Sequence, residues 1–295
     1  MCFVVNVCKR FAKEQPKTFV AITHPYCVSL LLVGTVFFFL AEMFYVVPFI
    51  FDTGGGMYKL AWLVAIFIVS NILGNELVCY LTDTSVASLP EERRTPKPEE
   101  EHLWSYCDEC KMKVPPRAWH CKLCKCCALR RDHHCIFTAT CIGHNNYRYF
   151  FWLQFYLALG SVLFLVSYLL AVAVNKEFRN RYVLVWIIKN VWKRDYDIHV
   201  ANWNEFLWQN WLLMLNTYAF TFSLLMLPYQ LPIFYLNTTF YTGSDCRYNL
   251  GLRRNIKLLL GQRGLWTFIS PWINSPLPHD GTRWEEAKPL GNINS

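Results

Sequence analysis

Apolar and polar positions along this chain fall into long blocks, without the short alternations of a water-soluble fold. Four apolar runs stand out, at 27–51, 57–81, 150–174 and 211–236. Each reaches the roughly 20 residues that a helix needs to cross the hydrocarbon layer, where every backbone amide must be satisfied within its own segment. They predict four membrane-spanning helices. The first run follows a polar leader of 26 residues, exceeds the apolar part of a secretory leader and precedes no small-residue cleavage pattern, so it predicts a span. A shorter apolar piece at 182–192 carries Lys189 and predicts an interfacial helix in the loop between the third and fourth spans.

The polar blocks divide the rest. Residues 1–26 form an N-terminal segment and 27–81 hold helices 1 and 2. A linker at 82–103, with Pro90, Pro96 and Pro98 among charged residues, reads as flexible. A cysteine-rich domain fills 104–149, helices 3 and 4 with their loop occupy 150–236, and a tail runs over 237–295. The expected fold class is therefore an all-α polytopic membrane protein, with the cysteine-rich domain between helices 2 and 3.

Composition agrees, since 54% of residues are hydrophobic and 17% charged, with a mean hydropathy of +0.19. Charge adds orientation. Of 29 Lys and Arg, 22 fall in the N-terminal segment, the 82–149 block and the tail, which four spans place on one side. The positive-inside rule makes that side cytosolic. Cytosolic thiols stay reduced, so the eight cysteines between Cys107 and Cys141 are expected as metal ligands or nucleophiles and not as disulfides.

The spacing of these cysteines points to zinc. Cys107-x2-Cys110 and Cys121-x2-Cys124 are knuckles in which two thiolates bite one tetrahedral ion, and His120 and Cys127 lie at distances suited to completing such sites. A unit this short and this poor in large aliphatics needs metal to fold. Eight cysteines and three histidines (His120, His133 and His134) make eleven potential ligands, whereas two zinc ions use eight. Spacing alone does not name the three left over. If Asp132-His133-His134-Cys135 runs extended, His133 and Cys135 point to one side and His134 to the other. One side can then ligate metal while the other holds a thiol activated by an imidazole, with Asp132 fixing the tautomer.

These residues resemble the DHHC family of protein S-acyltransferases, or palmitoyltransferases. The pattern is met by Cys107, Cys110, His120, Cys121, Cys124, Cys127, Asp132 to Cys135, Cys141, Asn146 and Phe150. The resemblance implies one structural zinc on Cys107, Cys110, His120 and Cys127, and a second on Cys121, Cys124, His134 and Cys141. It implies Cys135 as nucleophile, His133 as base and Asp132 as its orienting partner. Acyl-CoA is then the co-substrate, its acyl chain reaching among the helices, and proteins with accessible cysteines receive the acyl group. An endomembrane location, Golgi or endoplasmic reticulum, is the corresponding expectation.

Several family features are altered. Ile136-Phe137 stands where Pro-Trp is usual, Asp83-Thr84-Ser85 where Asp-Pro-Gly is usual, and Thr238-Thr239-Phe240-Tyr241 where a glutamate normally ends the motif. Thr239 is expected to support Asp132, and Arg130 and Arg131, with Lys122, Lys125 and Arg148 as further candidates, to pair with CoA phosphates. Asn255 matches a C-terminal element whose Leu252, Ile256, Leu259 and Leu260 share one helical face. A non-catalytic, membrane-anchored zinc-binding adaptor is the alternative reading. No nucleic-acid partner is expected, because tethering the loop to the bilayer at both ends opposes reaching DNA and no recognition-helix pattern follows the knuckles.

Overall fold

The computed structural model describes residues 10–180, 203–243 and 245–287. Four long helices carry the apolar runs: α1 (Pro16–Ala41), α2 (Gly56–Leu81), α3 (Tyr147–Val174) and α4 (Trp203–Leu236). All four are long and apolar enough to cross a membrane. Between α2 and α3 lie three antiparallel hairpins: β1 (Ser105–Cys107) with β2 (Met112–Val114), β3 (Trp119–Cys121) with β4 (Cys126–Ala128), and β5 (His133–Cys135) with β6 (Thr140–Ile142). Helix α5 (Leu252–Leu260) follows in the tail. The four-span architecture is as expected, and the hairpins add the β structure that an all-α label omits. The 182–192 segment lies outside the described residues.

The chain divides into two compact units. One comprises 33–73 and 154–227, the middle stretches of the membrane helices. Its core gathers Ala41, Val46, Phe164, Tyr168, Ala171, Phe178 and Leu212. Large apolar side chains such as Leu63, Val166 and Leu225 are exposed on its helices, as a hydrocarbon solvent allows. Gly160 brings α3 close to Ile68 and Ile72 of α2, the small-residue packing that membrane helices use in place of a hydrophobic driving force. Helix α1 ends in a π-turn at Glu42–Val46 and a 3-10 turn at Val47–Phe49, where Pro48 removes a donor.

The other unit comprises 1–32, 74–153 and 228–295. It holds the hairpins, the tail and the adjoining helix ends. The hairpin core is small: Val86, Val114, Ala118, Cys127 and Leu129 form one cluster, and Cys121, Ala128 and Cys141 another. So few aliphatic groups are what a unit that needs metal to fold would show.

Two expectations are corrected in this unit. Helix α1 begins at Pro16, well before the apolar run at 27, because its first turns find partners among the hairpins and need no hydrocarbon. The 82–103 linker is ordered, not flexible. Ser85 N–H donates to Asp83 Oδ1 at 2.7 Å, Leu129 N–H to the Thr84 carbonyl at 2.8 Å, and Ser85 bridges Ala128. Arg93 pairs with Asp280, and Glu100 with Arg283, tying the linker to the tail.

The tail docks by further specific contacts. Trp152 Nε1 donates to Thr267 Oγ1 at 2.8 Å, Arg148 Nη1 to the Ser275 carbonyl at 2.7 Å and His144 Nε2 to the His279 carbonyl at 2.9 Å. Arg148 is therefore committed to the tail. Gly281, with φ of +87°, passes so close to His144 that a Cβ there would lie 2.7 Å from its ring. Asn255 is buried, donating to the Tyr235 carbonyl and accepting from Leu250 N–H. Beyond α5, Leu265, Trp266, Ile269 and Trp272 are exposed together, a surface suited to the membrane interface.

Candidate active site

Two groups of sulfur and imidazole assemble within the hairpins. Cys107, Cys110, His120 and Cys127 form one, and Cys121, Cys124, His134 and Cys141 the other, with the ligand atoms of each within 4.8 Å of one another. In the first, His120 Nδ1 lies 3.2 Å from Cys110 Sγ, 3.8 Å from Cys107 Sγ and 3.9 Å from Cys127 Sγ. In the second, His134 Nδ1 lies 3.2, 3.7 and 3.9 Å from Cys124, Cys121 and Cys141. Zinc bonds of about 2.3 Å to sulfur and about 2.0 Å to nitrogen give tetrahedral edges of roughly 3.5–3.8 Å, so both groups fit the ion. Each donor set is complete without water.

The groups interleave because of hairpin register. His120 faces Cys127 across β3–β4, and His134 faces Cys141 across β5–β6. Each such pair completes the site begun by the knuckle of the preceding hairpin. Arg131 lies over the Tyr241 ring at 5.4 Å, beside Cys121 and Cys141. Its charge offsets that of sulfur in the second group.

Strand β5 runs extended, and the alternation follows. His134 turns into the second metal group, while His133 and Cys135 meet elsewhere. His133 Nδ1–H donates to Asp132 Oδ2 at 2.8 Å, leaving Nε2 for the thiol. Phe150 stands edge-on to the His133 ring, centroids 5.0 Å apart. Burial drives Asp132 toward its neutral form, but the His133 hydrogen bond, the Phe240 N–H and Arg130 hold it below the ordinary carboxylate range. For His133, burial opposes charge, yet Asp132 and Cys135 raise it to about 9. Burial likewise raises the Cys135 thiol, and His133 and Thr138 more than offset this, leaving it below its usual value. Both shifts favour passing the thiol proton to the imidazole, the step that activates a cysteine for attack on carbonyl carbon.

Two further assignments are corrected. Asp132 Oδ1 accepts from the main-chain N–H of Phe240 at 2.6 Å, not from the Thr239 hydroxyl. Thr239 Oγ1 is spent within its own turn, on Thr242 Oγ1 at 2.9 Å and Thr242 N–H at 3.1 Å. Arg130 is only 1% exposed and donates to the Thr238 carbonyl at 2.8 Å, beneath Tyr147. A guanidinium so enclosed braces the Thr238–Phe240 turn and offers nothing to CoA. Tyr241, at the glutamate position, lies tilted against Trp119 with centroids 4.8 Å apart, a ring contact between hairpin and tail. Lys122 and Lys125 remain exposed.

Residues that sequence reasoning missed also build the site. Arg117, at φ of 67°, lies over Tyr248 and Trp284 and donates to Asn237, joining hairpin and tail. On α1, His24 Nε2 lies 2.9 Å from His134 Nε2, rings stacked at 5.0 Å. With His134 Nδ1 toward metal, its Nε2–H donates to His24, an outer-sphere partner that fixes the ligand's tautomer. Replacing His24 by alanine should weaken zinc at the second site about 10–100-fold. Graded chelator titration should release one of two ions early, while release of both at wild-type concentrations would contradict that contact. No short-range motif announces His24; it lies 110 residues from its partner.

Four helices apolar enough to cross a membrane, two groups of ligands fit for metal and a thiol outside both are the parts expected of a cysteine-dependent membrane transferase. The profile of the DHHC palmitoyltransferase family matches residues 100–246. The probable palmitoyltransferase ZDHHC24 of Homo sapiens is 29% identical over 250 residues, covering 78% of this chain and 80% of that protein. Palmitoyltransferase ERF2 of Candida glabrata is 58% identical over 45 residues, 15% of this chain and 14% of that protein. The probable protein S-acyltransferase 13 of Arabidopsis thaliana is 42% identical over 68 residues, 23% of this chain and 22% of that protein. The chain belongs to the DHHC palmitoyltransferase family.

Proposed function

We propose that this protein S-acyltransferase moves a palmitoyl-type group from acyl-CoA to protein cysteines through a thioester on Cys135. The observation that carries the reading is the Asp132–His133 hydrogen bond beside a thiol that belongs to neither metal group. Cys135 sulfur attacks the acyl-CoA carbonyl, and His133 holds the proton displaced from the thiol. That proton passes to the departing CoA sulfur. A substrate cysteine then attacks the Cys135 thioester, its proton taken by His133, and the acyl group leaves on the substrate. Zinc would hold the hairpins together and would take no part in the chemistry, because protein fills all four positions of each site.

The orientation rests on the Lys and Arg bias, which favours the hairpins on the cytosolic face; an endomembrane, Golgi or endoplasmic reticulum, is what membership of the family implies. There the charged CoA head meets water while the acyl chain enters the apolar layer. Exposed Lys122 and Lys125 are the cationic groups best disposed toward phosphates. Substrates are cytosolic or membrane proteins with accessible cysteines. The non-catalytic adaptor reading is not favoured, since it leaves the activated thiol without a use.

His133→Ala should slow acyl-enzyme formation about 10²–10⁴-fold with both zinc ions retained. Quenched-flow acylation and metal analysis check this together. Loss of zinc equal to that of His134→Ala would assign His133 to metal and overturn the reading.

A further inference from the structure

The three hairpins repeat one unit every fourteen residues. Cys107 pairs with Met112, Cys121 with Cys126 and Cys135 with Thr140, each at the end of the outgoing strand. In every hairpin the residue before the returning strand has positive φ: Lys111 at 53°, Lys125 at 55° and Ala139 at 51°. The positions of Cys107 and Cys110, or Cys121 and Cys124, are therefore held in the third hairpin by Cys135 and Thr138.

In the first two hairpins this turn brings its first and fourth side chains together in one group fit for metal. The remaining ligands come from facing positions of the next hairpin. The third hairpin has no successor, since the chain enters α3 at Tyr147. Its convergent pair is left open, with a hydroxyl in place of the second sulfur. Thr138 is 1% exposed, and its hydroxyl lies against the sulfurs of Cys135 and Cys79, with no oxygen or nitrogen partner among the described residues. Thiol sulfur is a weak acceptor, so a buried hydroxyl held only against sulfur beside a nucleophile is disposed to take a stronger oxygen acceptor that arrives during reaction.

We propose that Thr138 Oγ1 donates to the thioester carbonyl oxygen as it becomes an oxyanion, the hairpin gripping an acyl carbon where its two relatives grip metal. This rests on the Cys135 acyl-enzyme reading. As Cys135 sulfur bonds to the carbonyl carbon, the π pair moves onto oxygen and is met by the Thr138 O–H. When that pair returns, the bond from carbon to CoA sulfur breaks, and CoA sulfur takes the proton His133 received from Cys135. A donor that strengthens only as charge develops speeds the step without tightening substrate binding.

The test compares full-length wild type, Thr138→Val and Thr138→Ser in two reactions at Cys135. One is single-turnover acylation by palmitoyl-CoA; the other is alkylation by iodoacetamide, which needs the thiolate but forms no oxyanion. Thr138→Val should acylate about 10²–10³-fold more slowly, with zinc content and KM for palmitoyl-CoA unchanged and alkylation slowed far less than acylation, since His133 still ionises the thiol. Thr138→Ser should recover most of the rate. Wild-type acylation in Thr138→Val overturns the proposal, as does a fall in alkylation equal to that in acylation. A wild-type protein that carries no acyl group on Cys135 instead removes the acyl-enzyme reading beneath it.

Discussion

Cys135→Ser is expected to abolish the acyl-enzyme while leaving two zinc ions per chain. Removing the nucleophile from a comparable catalytic set costs about 10⁶-fold in rate, because a serine hydroxyl is not ionised by a neighbouring imidazole as a thiol is. Metal content should not change, since Cys135 stands outside both ligand groups. The hydrogen bond from His133 to Asp132 also survives, being made by the other ring nitrogen. Hydroxylamine-labile palmitate measured beside zinc per chain separates the two effects. A variant that loses one zinc along with its acyl group would mean that Cys135 is a ligand.

Cys121→Ser should fail in the opposite way, losing zinc, hairpin structure and acyl transfer together although Cys135 is intact. Structural zinc contributes about 10–16 kcal/mol of apparent binding free energy in small finger peptides, comparable with the whole stability of about 5–15 kcal/mol of an ordinary domain. The hairpin core, a few side chains around Cys121, Ala128 and Cys141, cannot replace it. His134 would lose its anchor, and with it the strand that presents His133 and Cys135. Metal analysis and limited proteolysis within 104–149 check this, with protection by added zinc in wild type only. Full acylation at one zinc per chain would contradict a structural role for the second site.

The membrane helices were legible because apolar length is a local property: the run at 57–81 matches α2 almost residue for residue. The extended course of β5 was equally legible, since alternation alone separates His134 from His133 and Cys135. What sequence reasoning missed depends on contacts made over long separations. Basic side chains read as surface groups, yet Arg130 is enclosed because carbonyls of the Asn237–Thr238 segment arrive from 107 residues away. The proline-containing linker read as flexible, and partners in hairpin and tail order it. Helix α1 extends past its apolar run because His24 finds His134. The fourteen-residue repeat was available in the sequence, but counting only cysteines and histidines hides Thr138 in a position that metal chemistry had defined.

The central claim is that metal takes eight of the ligands and leaves Cys135 to carry the acyl group. Native mass spectrometry of the full-length protein, before and after incubation with palmitoyl-CoA, tests it most directly. Two zinc ions throughout, with one added acyl group located on Cys135, is the predicted result. Zinc bound by Cys135 in the resting protein, or an acyl group gained only as an ion departs, would contradict it.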